Sequence, residues 1–402
     1  MARVITTTLR TCGARTARAV LPWLAGCVLA GCGEKETART PGESHAWQTR
    51  EWQATRGGGE LQGRVHDPVP QRPVVEWSFT AKDAISSEAA VAQGVIVFGD
   101  DEGLVHAVDL ETKRERWRVI TKDAVEACPA IVADRVFVGS NDGTFRALDL
   151  ATGAEIWQIT GQDKFPTGGV PVASPDTGET WMLVNGYDGI LRCLRTMDGS
   201  VVWKLETEDY INGSPVILDD GLVAFGGCDA VIHVIQLRDG SPLAKMETDA
   251  QIIRSLAGWG GMLYGVNYAD QLVSADAITG TLKWIHAHSD GQLLTSPALD
   301  DGQVYAGSRD KHLHALDRLG GKPVWKFQTG GRVESAPLVF DDAVVFGSAD
   351  GRLYAVDKQE GREIWRLDLG EGLPNAPAFA DGRIVIGGGD GTLFVIRGGE
   401  KP

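Results

Sequence analysis

Histidine, cysteine and carboxylate are the residues of this chain that could do chemistry, and their spacing decides which chemistry is open. His106, His233 and His314 stand at equivalent points of a repeat. His286 and His288 are two residues apart, as are His312 and His314, so each pair lies on one face of a strand. Such a pair supplies two nitrogens, and a metal site would need further ligands from elsewhere. The shared histidine position also holds Arg146, Arg192, Val273, Tyr354 and Phe394, which predicts a strand residue packed between units. Six cysteines divide into Cys12, Cys27 and Cys32 near the N-terminus and Cys128, Cys193 and Cys228 within the repeats. Cys128 aligns with Ser214, Ser296, Ala336 and Ala376, and Cys193 with Ala107, Ala147, Ser274, Ala315 and Ala355. Both therefore read as buried free thiols at small-residue positions. There is no C-x-x-C, no Ser-His-Asp set, no phosphate loop and no paired-carboxylate arrangement. Acidic residues recur at turns, so the convergent oxygens of a calcium site have no evident source. The expectation is a chain with no catalytic residue, no cofactor and no metal.

The elements that carry these residues repeat. Glu102, Asp142, Asp188, Asp229, Ala269, Asp310, Asp350 and Asp390 mark one point of the unit, at spacings of 40, 46, 41, 40, 41, 40 and 40 residues. Fifteen residues later comes Trp117, Trp157, Trp203, Trp284, Trp325 or Trp365, with Ala244 as the exception. One tryptophan per unit at a fixed offset predicts a wedge between units rather than a ligand platform. Gly153, Gly199, Gly240, Gly280, Gly321 and Gly361 lie eleven residues after the marker, where a hairpin turn needs positive φ. Lys113 holds that place in the first unit and predicts a strained or differently built turn. Asp109, Asp149, Asp276, Asp317 and Asp357 are placed to bond their own turn amides.

A period near forty with four short apolar runs predicts an all-β, eight-bladed β-propeller of four-stranded antiparallel blades. The blades run 83–118, 124–158, 164–204, 211–245, 251–286, 292–327, 333–367 and 372–397, the last completed by 74–79. Val74-Val75-Glu76-Trp77-Ser78-Phe79 reads as an outer strand without its first three, and the C-terminal unit as three strands without a fourth. Pairing the N- and C-terminal strands would close the ring and remove its free edges. Blade three carries insertions near 162–169 and 174–180. Blade five diverges most, with Arg254-Ser255-Leu256 in place of the usual proline segment.

Formal net charge is −15. That balance argues against nucleic acid, whose binding needs lysine and arginine against phosphate. Residues 1–31 hold Arg3, Arg10, Arg15 and Arg18, a short apolar run, and then Leu29-Ala30-Gly31-Cys32. This resembles a bacterial lipoprotein signal with lipidation at Cys32 (Leu24-Ala25-Gly26-Cys27 is a second match), and the run is too short to span a membrane. The expected organisation is a signal peptide over 1–31, a tether over 32–73 and the propeller over 74–402. Trp47 and Trp52 are unusual in a tether, and Trp52 with Arg56-Gly57-Gly58-Gly59 resembles the lead-in of bacterial quinoprotein-like propellers.

The Trp, Ala-Leu-Asp and Thr-Gly repeat over 74–397 resembles the pyrroloquinoline-quinone-like propeller family. One branch, the outer-membrane assembly lipoprotein BamB, implies a non-catalytic, lipid-anchored scaffold that faces the periplasm and binds protein partners of the outer-membrane barrel assembly machinery. The other branch implies a periplasmic quinoprotein dehydrogenase or another small-ligand binder. A sensor or cell-surface module with an unrelated protein partner carries the same repeat. The first reading expects a monomeric propeller that recognises partners through its rim loops or strand edges, with Asp209, Asp249 and Arg254 as candidate contacts.

Overall fold

A computed structural model describes residues 50–400 apart from 289, 290 and 294. Trp47 and the candidate lipidation residue Cys32 lie outside the described residues. The architecture is eight four-stranded antiparallel sheets, each with its strands in chain order from the inside outward except the last. Blade two is typical, with strands Ala130–Val132, Arg135–Gly139, Thr144–Asp149 and Glu155–Thr160. Its second and third strands are buried almost throughout, because each blade stacks on a neighbour on both faces. They consequently read as unbroken apolar runs. The outer strand alternates instead, with Ile156 and Gln158 facing out more than Trp157.

The ring closes between the chain ends. Strand Pro73–Thr80 pairs antiparallel with Thr392–Gly398, Trp77 opposite Val395, as the fourth strand of blade eight. A register shift of one residue precedes Trp77 in this strand. The same bulge precedes Trp117, Trp157, Trp203, Trp284, Trp325 and Trp365. It sets each indole across from a small residue: Ala107, Ala147, Cys193, Ser274, Ala315 or Ala355. Cys193 is small for that reason, and burial pushes its thiol up to about 12. In blade four the pair is inverted, with Ala244 opposite Val234.

Each indole also meets the next blade. A Cβ added at Gly361 would lie 2.5 Å from the Trp325 ring, and the same holds at 2.5–2.7 Å for Gly153, Gly199, Gly240 and Gly321 against the preceding tryptophan. The indole N–H then donates to a carbonyl three residues before that glycine, as Trp325 does to Lys358 O at 3.0 Å. The turn glycines thus serve two purposes, positive φ and room for a ring. Lys113 takes the left-handed conformation too (φ 61) and builds the same turn without glycine.

From Arg50 onward the segment expected as a tether is bound to the propeller. Innermost strands leave one row of N–H groups unpaired toward the channel. Residues 52–67 satisfy them. Val91, Ile131, Ile217, Gly258, Leu299 and Val339 donate to the carbonyls of Trp52, Gln53, Gly59, Glu60, Gln62 and Gly63. These are equivalent residues of blades one, two, four, five, six and seven. Blade three has Pro171 there, which has no N–H to give.

Candidate functional site

One end of the channel is closed by this belt, and at its centre stands Arg56. Its guanidinium donates to Pro337 O at 2.7 Å and Pro297 O at 3.3 Å, and the residue is 3 % exposed. A Cβ on Gly63 would collide with that guanidinium, so the crossing requires glycine. Glu88 fixes the turn from the channel side, accepting from Thr55 Oγ1 at 3.0 Å and from the Arg56 N–H at 3.2 Å. At the Glu88 position the other blades carry Cys128, Gly168, Ser214, Ser255, Ser296, Ala336 and Ala376. A lone carboxylate among small residues was the available signal for this contact.

The opposite end is open, and the repeat carboxylates frame it. Asp142 accepts the Thr144 N–H, the Lys122 N–H and, at 3.0 Å, Arg146 Nη2. Asp188 with Arg192, Asp229 with His233 and Asp350 with the Tyr354 hydroxyl repeat the arrangement. Burial raises the Asp142 carboxyl, but the Thr144 and Lys122 hydrogen bonds and the Arg146 charge outweigh it, leaving it below its ordinary value. In blades two, three, four, six and seven the residue four places after the marker is therefore a clamp partner, whereas His106 of blade one lies against Asp100 and Glu115 instead. Sequence reading placed His233 and His314 as packing residues and missed the pairing, although the four-residue offset to an aspartate was legible. Blade five has Ala269 at the marker, and Asn267 replaces the clamp by accepting the Ala269 and Gln271 amides.

The residue just before the marker is held identically in all eight blades. Asp101, Asn141, Tyr187, Cys228, Tyr268, Arg309, Ala349 and Gly389 each donate their N–H to a carbonyl of the loop entering the same blade. An invariant backbone bond thus carries a ring of unrelated side chains around the mouth. On blades three to five that ring and the adjoining loop are aromatic. Tyr187 stacks on Tyr210 with centroids 5.1 Å apart, Lys164 lies 4.7 Å over Tyr187, and Tyr210 and Tyr268 are 46 % and 56 % exposed.

The mouth opens into a cup of about 490 Å³. Its charged wall is Glu88, Glu126 and Glu334 with Arg254 and Arg309, and Tyr187 is its one aromatic residue among those described. Cys128 also lines it, but burial, with the Glu88 charge, holds that thiol well above its ordinary value. The thiolate a nucleophile needs is thereby suppressed. Pyrroloquinoline quinone, a flat tricarboxylate, calls for cations and an apolar plane. Here Arg254 and Arg309 stand among three glutamates over a floor of serine and threonine, and with Tyr187 as the one described aromatic side chain this net-acidic lining does not fit it.

All three candidate contacts lie on this open face. Arg254 is in the cup wall. Asp209 borders a shallower hollow of about 330 Å³ with Tyr187 and Tyr210. Asp249, in the next loop, accepts from Gln271 Nε2 at 3.0 Å and borders neither cavity.

Comparison with known proteins places the propeller. The family described as outer membrane protein assembly factor BamB matches residues 74–286 and 280–400. Among solved structures, BamB from Moraxella catarrhalis is similar at TM-score 0.67 and 19 % identity, covering 81 % of this chain and 99 % of that one. A europium-containing methanol dehydrogenase aligns at TM-score 0.73 and 13 % identity, covering 87 % and 98 %. Quinohemoprotein alcohol dehydrogenase from Comamonas testosteroni aligns at 0.72 and 14 %, covering 89 % and 82 %. These likenesses are of fold. No curated protein matches the chain by sequence.

Proposed function

The chain belongs to the family described as outer membrane protein assembly factor BamB, and on that footing we propose that it is a non-catalytic scaffold for outer-membrane β-barrel assembly. In this reading it is anchored at Cys32, faces the periplasm as a monomer, and docks a barrel insertase on its open face. The observation that carries the docking site is the tyrosine arc of the open face, the exposed Tyr210 and Tyr268 with the half-buried Tyr187 stacked on Tyr210. Tyrosines of this kind supply large contact area at small entropic cost and concentrate at protein interfaces. The glutamate-rich cup supports a binding role over the quinoprotein alternative.

A photo-crosslinking amino acid at position 210 or 268 of the full-length chain is expected to capture a barrel insertase, identified by mass spectrometry. The same probe at the exposed Ile278, on the opposite rim, is expected to capture none, and Cys32→Ala should abolish capture. Charge reversal at Asp209, Asp249 and Arg254 should weaken it. Adducts from position 278 alone, or none from any position, would overturn the assignment.

A further inference from the structure

Outside the cup, three histidines converge on one carboxylate. His288 immediately follows the outer strand of blade five, Thr281–Ala287. Asp310 is the marker of blade six, and His314 is its clamp partner. Asp310 Oδ1 accepts the His312 N–H at 2.9 Å. Asp310 Oδ2 faces His314 Nε2 at 2.9 Å, His288 Nε2 at 3.3 Å and His312 Nδ1 at 3.4 Å. The His312 Nδ1 is also 2.9 Å from the Asp310 carbonyl, which engages it as a donor. Clamping the turn needs one partner only, as Asp229 has in His233. His288 is surplus to that task.

The repeat shows how unusual His288 is. Thr121, Thr207, Thr248 and Thr329 occupy its position, each hydroxyl lying within 3.0 Å of two backbone carbonyls. His288 forgoes those bonds and turns its ring onto His314, with centroids 4.4 Å apart. Its side chain is 8 % exposed, yet the buried Nε2 makes no hydrogen bond among the described residues. A buried imidazole nitrogen without a hydrogen-bond partner is costly unless something accepts its lone pair.

We propose that His288 Nε2, Asp310 Oδ2 and His314 Nε2 bind one divalent transition-metal ion of the zinc class across the seam of blades five and six. The three ligand atoms lie within 4.8 Å of one another. Tetrahedral zinc with nitrogen and oxygen ligands places them about 3.3 Å apart, close to the two Asp310 separations. Two imidazoles and a carboxylate suit zinc or cobalt, not calcium or magnesium. The pair His312/His314 lacked a further ligand in the sequence because that ligand comes from another blade.

Cobalt(II) is the probe, titrated into the untagged full-length chain after chelation. One equivalent should bind, with visible d–d bands of low-coordinate cobalt that zinc(II) bleaches, and zinc should raise the melting temperature. His288→Thr restores the residue that four other blades carry at this position, so the fold should be retained. It should weaken binding by at least about 100-fold, beyond what loss of an outer-shell partner costs. His233→Gln, at the clamp without a third ligand, should leave binding unchanged. Absence of stoichiometric binding, binding that survives His288→Thr, or equal loss in His233→Gln would each overturn the site.

Discussion

Arg56 has left-handed backbone geometry (φ 52) and a guanidinium bonded to carbonyls 241 and 281 residues away. Replacing it with alanine strips Pro297 and Pro337 of a charged donor inside the belt. Arg56→Ala should cost about 3 kcal/mol in urea unfolding, with Arg56→Lys recovering only part, because an ammonium lacks the two-pronged fork. The Arg56-Gly57-Gly58-Gly59 run was conspicuous in the sequence, but its role was not. Both carbonyl partners belong to residues whose only signature is the repeat proline, and their approach is created by ring closure. The Asp310 cluster was half legible in the same way: His312 and His314 share a strand, while His288 reaches them only across a seam.

Tryptophan and turn glycine form the joint between consecutive blades, and one joint differs. Gly280 faces the Ala244 Cβ at 3.0 Å, where Gly361 faces the Trp325 ring. Both glycines have positive φ, 64 and 69. An alanine at either therefore bears the same backbone strain, and the difference isolates the ring collision. Gly361→Ala should lower stability by about 2 kcal/mol more than Gly280→Ala by thermal melt, and adding Trp325→Ala should relieve part of that excess. The two joints beside the closure are also irregular. Trp77 and Trp365 have buried indole N–H groups with no hydrogen-bond partner among the described residues, whereas Trp117, Trp157, Trp203, Trp284 and Trp325 donate to the next blade. Blade count and strand order were legible because each rests on a short-range pattern repeated around the ring, and closure because each chain end carries the part of that pattern the other lacks. The belt was not, since it appears once and bonds through backbone atoms.

Across the molecule, turn carboxylates set the response to acid. Hydrogen bonds from the Thr112 amide and from Arg116 hold Asp109 down to about 2, and Asp142, Asp149, Asp188 and Asp276 are also below their ordinary value. The folded chain therefore binds fewer protons than the unfolded one in this range. Their contribution is complete above the unfolded carboxylate value, near 3.8, and is lost as pH falls from there through about 2. Melting temperature from these groups should hold from neutrality to about pH 5 and then fall steeply toward pH 2. Asp109→Asn should flatten the lower part of that fall. The belt has a mechanical consequence as well. Tension applied at Arg50 first reaches backbone bonds spread over six blades, and only then the strand that closes the ring. A tug on that end is thus met by rupture events in series around the hub. The latch between first and last strands stays unloaded until the hub has been unthreaded.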